Sequence, residues 1–137
     1  MANSKKLLIV DDDAGWRDLC GAVARALGYS VMQATDGSTG VAQACASPPD
    51  LVLMDLLMPR MDGCKATATL KANLSTKNIP VVVCTALSRS SQTESALAAG
   101  AAEVLHKPIA MSAIRAMLQR YAPITDKEAQ ITKPRVA

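Results

Sequence analysis

Short apolar runs, each closed by polar residues, punctuate the chain. Leu7-Leu8-Ile9-Val10 ends at Asp11-Asp12, Leu51-Val52-Leu53-Met54 at Asp55, Val81-Val82-Val83-Cys84 at Thr85, and the shorter Val104-Leu105 leads through His106 to Lys107-Pro108. Continuous runs of this length and type are the pattern of strands buried on both faces. The stretches between them carry a different period. Trp16, Leu19, Cys20, Val23 and Leu27 recur at three-and-four spacing and Gly28 follows as a stop, which predicts helix 1 over about Asp13 to Leu27. Tyr29 to Ala34 returns as a strand. Asp36-Gly37-Ser38 offers turn and capping chemistry ahead of a short helix 2 built on Val41, Ala42 and Cys45, which Pro48-Pro49 must end. Met58-Pro59-Arg60-Met61-Asp62-Gly63 is a breaker-rich loop, and Cys64 to Leu74 then forms helix 3 with Leu70 and Leu74 on its inner face. Ile79-Pro80 opens the next strand, Ser88 to Ala99 is a small-residue helix 4 capped by Gly100, and Met111, Ile114, Met117, Leu118 and Tyr121 mark helix 5.

Strands alternating with helix-length connections predict parallel βαβ units. In such sheets ligands gather outside the carboxyl ends of the strands. Asp11, Asp12, Asp55, Thr85 and Lys107 all follow strands and are therefore expected to converge at one sheet edge.

Composition narrows the function classes. With 137 residues, half of them apolar, the chain is expected to form one domain over residues 5–121 with a real core. Residues 122–137 are polar, carry Pro134, and read as a flexible tail too short for an output domain. A net charge of +3 with one Trp, two Tyr and no Phe gives neither a dense basic patch nor a stacking platform, so direct nucleic-acid binding is not expected. Cys20, Cys45, Cys64 and Cys84 lack CxxC spacing and sit inside apolar segments, so they read as buried thiols in a reducing compartment rather than metal ligands or disulfides. The opening residues are too short and polar for a signal peptide and no run is long enough to span a bilayer. A cytoplasmic protein without membrane insertion is expected.

An acidic run after a strand has two readings. Asp11, Asp12 and Asp13 could simply cap helix 1, where exposed N–H groups favour carboxylates. Alternatively, carboxylates crowded with Asp55 at one sheet edge repel one another and raise their own pKa values unless they share a cation. An oxygen-only set without His or Cys points to Mg²⁺. Lys107 adds a point charge and Thr85 a hydroxyl, which suits phosphoryl oxygens. A cis Lys107-Pro108 peptide would aim the ammonium inward. A carboxylate can itself accept a phosphoryl group as an acyl phosphate, with metal and lysine neutralising charge in the transition state.

The strings LLIVDDD, LVLMDLLMPRMDG, VVVCTALS and AAGAAEVLHKPI resemble the receiver domain of two-component response regulators, over about Lys5 to Tyr121, and in particular stand-alone receivers of the chemotaxis type. The resemblance implies a flavodoxin-like α/β fold: a five-stranded parallel sheet of order 2-1-3-4-5 with five surrounding helices. It implies Asp55 as phosphoacceptor, with Mg²⁺ on Asp12, Asp55 and the backbone carbonyl of Leu57, and Asp11 joining through water. Thr85 matches the hydroxyl that swings to the phosphoryl group and Lys107 the lysine that pairs with it. His106, the only histidine, stands where many receivers carry Tyr or Phe, a position at which the family also shows histidine. It is either the rotamer switch or a strand residue that packs its imidazole flat, without a signalling role. Leu57 and Leu87 match the positions flanking the path of hydrolytic water, where neither can orient it.

On this reading the protein is not an enzyme: it assists only its own phosphorylation and dephosphorylation. Its partners are a sensor histidine kinase or histidine phosphotransfer protein, and a downstream protein meeting the face of helix 4, strand 5 and helix 5. A phosphorylation-dependent dimer, or a relay or sink for the phosphoryl group, fits as well. The alternative from another class is a haloacid-dehalogenase-like phosphatase, with Asp11 as nucleophile and Asp13 as general acid. Gly15 in place of its usual Thr or Val, and the lack of a later acidic pair or cap insertion, weigh against it. A flavin-binding flavodoxin is disfavoured because carboxylates stand where a phosphate cradle belongs.

Overall fold

The computed structural model describes residues 5–58 and 61–124. Pro59 and Arg60 of the expected loop, and the expected tail from residue 125 onward, lie outside the described residues. Five strands and five helices alternate along the chain: β1 (Lys6–Val10), α1 (Ala14–Ala26), β2 (Ser30–Ala34), α2 (Gly37–Ala46), β3 (Leu51–Met54), α3 (Gly63–Ala72), β4 (Val81–Thr85), α4 (Ser90–Ala98), β5 (Glu103–His106) and α5 (Met111–Tyr121). All strand pairs are parallel and the sheet order is β2-β1-β3-β4-β5. This is the flavodoxin-like order that the resemblance implies.

The strand period of two divides the core into layers. Leu7, Ile9, Leu51, Leu53, Val82 and Cys84 face α1 and α5, meeting Trp16, Cys20, Val23, Ile114, Met117 and Leu118. The alternate residues Leu8, Val10, Val52, Met54, Val81 and Val83 face the other side, with Ala44, Ala66, Leu70 and Ala96 from α2, α3 and α4. Burial on both faces holds for β1, β3 and β4, whereas β5 is only half-buried with an exposed end. The sheet order explains this, because β5 is an edge strand with a neighbour on one side only.

Helix boundaries follow local chemistry. Asp13, Asp36 and Asp62 are N-caps whose side chains accept backbone N–H bonds from Gly15, Thr39 and Lys65. Gly100 adopts a positive φ of 114°, the conformation that favours glycine at a helix end. Several helix details differ from the periodic reading, Met111 of α5 among them at 50% exposed. In α2 the buried positions are Gly37, Gly40 and Ala44, while Val41 and Cys45 sit half-buried and Ala42 is exposed. The helix lies so close to β1 that a Cβ on Gly40 would stand 2.7 Å from a Val10 methyl, so only the smallest residues fit the contact. In the third helix Leu70 is buried but Leu74 is 83% exposed, because α3 ends at Ala72 and the chain turns at Asn73. On α1, Leu19 lies at the rim of the stripe, 38% exposed. Cys20 and Cys84 are buried thiols, whereas Cys45 and Cys64 are half-buried because both flank their helices' inner faces. Among the described residues no helix is long and apolar enough to cross a membrane.

Candidate functional site

The parallel ladder carries the acidic residues into place. Val10 pairs with Met54, and the Asp55 N–H continues that ladder by donating to the Val10 carbonyl at 3.0 Å. Asp11 is fixed on its other side, its N–H donating to the Ala34 carbonyl of β2 at 3.0 Å. Thr85 is in register with His106, and the Lys107 N–H donates to the Thr85 carbonyl at 2.8 Å. Register thus sets the carboxyl ends of β1, β3, β4 and β5 side by side. The Lys107-Pro108 peptide is cis.

Side chains from these ends meet. One oxygen each from Asp11, Asp12 and Asp55 lie within 4.8 Å of one another. Lys107 Nζ stands 2.6 Å from Asp11 Oδ2 and 4.0 Å from Asp55 Oδ2. Asp11 is buried, Asp55 nearly so, and Asp12 is open to solvent. Burial pushes the Asp55 carboxyl above its ordinary value, and the negative charge of Asp11 pushes it further. The Lys107 ammonium, the Leu56 N–H at 2.8 Å and a hydrogen bond to Thr85 pull the other way without cancelling the rise. Three carboxylates face one ammonium, so the group retains an excess of negative charge suited to an added cation.

A cleft of about 410 Å³ opens over this cluster, with Leu57, Met58, Ala86 and Leu87 forming its apolar rim. Leu57 is 66% exposed at that rim. Gly63, at the start of α3, explains how the β3 end is held: a Cβ there would collide with the Asp55 carbonyl, and the Gly63 N–H donates to the Leu56 carbonyl at 3.0 Å. On the β4 side, Leu87 is bonded through both backbone groups. Its N–H donates to Thr85 Oγ1 at 3.1 Å and its carbonyl lies 2.9 Å from His106 Nδ1. A carbonyl only accepts, so His106 carries its hydrogen on Nδ1 in this contact. His106 itself is exposed.

Every residue expected at the sheet edge from its place after a strand is brought there. Asp13 also lines the cleft, but its carboxylate is engaged as the N-cap of α1, accepting the Gly15 N–H at 3.0 Å, and Asp11 is paired with Lys107, so the phosphatase alternative gains no support. Two contributors were not legible as site residues. Arg17 Nη1 donates to the Asp11 carbonyl at 2.7 Å and its Nε to Gln33 Oε1 at 3.2 Å, tying α1 to the acidic turn and β2. Trp16, in sequence only a member of the helix 1 stripe, lies under Lys107 with Nζ 4.7 Å from its ring centroid. A single tryptophan at helical spacing carries no signal of that contact, which depends on the β5–α5 turn arriving above it.

Comparison with known proteins agrees with this geometry. The family model described as response regulator receiver domain matches residues 7–119. The chain is 35% identical over 132 residues to the DNA-binding dual master transcriptional regulator RpaA of Synechocystis, covering 93% of this chain and 53% of that protein. The chain therefore spans about half the length of this curated relative. Chemotaxis protein CheY4 of Vibrio cholerae superposes with a TM-score of 0.81 at 27% identity, covering 87% of this chain and 99% of that one. The receiver domain of the sensor histidine kinase PA1611 from Pseudomonas aeruginosa, with a magnesium ion coordinated in its active site cleft, superposes with a TM-score of 0.80 at 30% identity, covering 87% and 98%. With the strand order, the clustered acidic residues and a family match across nearly the whole described fold, the chain belongs to the response regulator receiver domains of two-component signalling.

Proposed function

We propose that Asp55 accepts a phosphoryl group from a sensor histidine kinase or histidine phosphotransfer protein, and that Asp11, Asp12, Thr85 and Lys107 serve that transfer. The observation that carries this reading is the setting of Asp55: a nearly buried carboxylate facing an open cleft, crowded by Asp11 and flanked by the Lys107 ammonium. An Asp55 oxygen forms the new O–P bond as the N–P bond of the donor phosphohistidine breaks, the electron pair leaving with the imidazole. Lys107 would meet a phosphoryl oxygen, and Thr85, which lines the same cleft, would donate to another.

The donor set fits a hard divalent cation: three carboxylate oxygens within 4.8 Å and no nitrogen or sulfur ligand in the group. Asp12, Asp55 and the Leu57 backbone carbonyl would hold Mg²⁺, with Asp11 beside them. When bound, the ion neutralises negative charge shared between the carboxylates and the incoming phosphoryl oxygens. The magnesium in the PA1611 receiver supports this reading.

The output is a population shift rather than turnover of a substrate. Thr85 is linked to His106 through both backbone groups of Leu87, so a Thr85 hydroxyl drawn to a phosphoryl group disturbs the β4–α4 loop and the exposed imidazole. That route ends on the face formed by α4, β5 and α5, where a downstream protein or a second copy binds. The same chemistry would serve a relay or sink returning the group to a histidine.

The test uses acetyl phosphate as donor. Labelling should require Mg²⁺, should locate to Asp55 by mass spectrometry, and should vanish in Asp55→Asn. Equal labelling in chelator, or label persisting in the Asn variant, refutes the assignment.

A further inference from the structure

The Lys107 ammonium meets an aromatic ring as well as two carboxylates. It is 2.6 Å from Asp11 and 4.0 Å from Asp55, and it also sits over the Trp16 ring at 4.7 Å from the centroid. The ring is 9% exposed, locked among core residues of the α1–α5 layer, and it meets the ammonium with a π face. The Lys107 side chain is itself only 16% exposed. A cation held against an aromatic face in such a screened place is attracted by the ring quadrupole more strongly than at an open surface.

We propose that Trp16 is a positioning residue for phosphoryl acceptance: its ring seats the Lys107 ammonium beside Asp11, short of full contact with Asp55. The proposal rests on the reading of Asp55 as phosphoacceptor. Two acidic partners alone would draw the ammonium inward between them, where it would compete with the entering cation and phosphoryl group. The ring gives it a third, uncharged partner at the cleft wall. A phosphoryl group on Asp55 then offers a stronger anionic partner, and Lys107 leaves the ring for it by a movement of its flexible end. Trp16 touches neither phosphate nor metal, and acts only through the lysine. The observation behind this role is the pairing itself: the indole at the third position of α1 is packed in the core on one side and meets the Lys107 ammonium on the other.

Two substitutions separate the π face from packing. Trp16→Leu keeps an apolar side chain without a ring, and Trp16→Phe keeps a smaller ring. Labelling of Asp55 by acetyl phosphate and Mg²⁺ should slow about three- to tenfold in Trp16→Leu, the range set by a partly desolvated cation–π contact, and less than about twofold in Trp16→Phe. An unchanged rate in Trp16→Leu, or an equal loss in both variants, overturns the proposal. A second measurement leaves the ring intact and does not depend on those variants folding. Trp16 is the only tryptophan of the chain, so intrinsic fluorescence reports it alone. Lys107→Met should change the resting emission, and emission in the wild type should change on phosphorylation; emission indifferent to both overturns the proposal. Wild-type labelling is read in parallel. A wild type that takes no label on Asp55 removes the phosphoacceptor reading, whereas a labelled wild type with a fully active Leu variant removes only the role of Trp16.

Discussion

At the scale of the residue, Asp55 works against the fold that holds it. Burial first and the Asp11 charge second push its carboxyl above the ordinary 3.8, and Lys107, the Leu56 N–H and Thr85 offset this only in part. Between 3.8 and the raised value the native state keeps a proton that the unfolded chain has released. Stability therefore falls as pH rises through that window, and the loss persists at neutral pH. Removing the charge should reverse it. Asp55→Asn is expected to raise the melting temperature in chelator at pH 7 by about 2–5 °C, with the advantage fading as pH falls through the raised value and gone below 3.8. Added Mg²⁺ should stabilise the wild type more than the Asn variant, because one charged ligand of the proposed site is gone. Thermal unfolding followed by circular dichroism decides it; an Asn variant less stable than wild type at pH 7 contradicts the account of the carboxyl.

At the scale of the element, residues just after β3 and β4 supply the apolar rim of the cleft over Asp55. Leu57 and Leu87 flank the cleft mouth, and neither side chain can hydrogen-bond a water molecule. Hydrolysis of an aspartyl phosphate at Asp55 would need water held in line with the departing oxygen, and neither leucine could position it. The phosphorylated state is expected to be long-lived, and Leu57→Asn or Leu87→Glu should shorten it several-fold. The decay of phospho-Asp55 after removal of donor measures this, and unchanged or slower decay in both variants refutes the water-access argument. The same loops explain small residues nearby. Gly63 lets α3 begin against the Asp55 carbonyl, so the helix supports the Asp55 backbone while the Leu57 rim projects into solvent.

At the scale of the whole molecule, one tyrosine joins segments far apart in the chain. Tyr29, 3% exposed at the entry to β2, donates its hydroxyl toward the Leu118 carbonyl at 3.1 Å and the Ala122 carbonyl at 2.6 Å. Leu118 is also satisfied by the Ala122 N–H, so Ala122 is the carbonyl that depends most on the tyrosine. Tyr29→Phe should cost about 1–2 kcal/mol through that buried carbonyl, without slowing Asp55 labelling, since the contact lies at the opposite end of the strands. Urea unfolding provides the first number and acetyl phosphate labelling the second. An unaltered unfolding midpoint would show that the bond closing α5 onto β2 contributes nothing net.

The alternation of apolar runs and helical periods was enough to assign the parallel sheet and the edge at which Asp11, Asp12, Asp55, Thr85 and Lys107 meet, because strand polarity alone puts all those ends together. The receiver resemblance supplied the strand order and the proposed roles. What sequence could not supply were quantities set by approach distance. Periodicity marks a helical face but not how near it comes to the sheet, so α2 turns Gly40 and Ala44 inward where Val41 and Cys45 had been expected. It does not mark where a helix stops, so Leu74 falls beyond α3 and into solvent. Edge position, a property of the assembled sheet, left β5 half-exposed despite its apolar run. Within the site, the acidic cluster was legible because like charges at adjacent strand ends require a counter-ion. The seat of Lys107 on Trp16 and the Arg17 tie to Asp11 were not, since each joins groups whose meeting depends on helix–sheet packing.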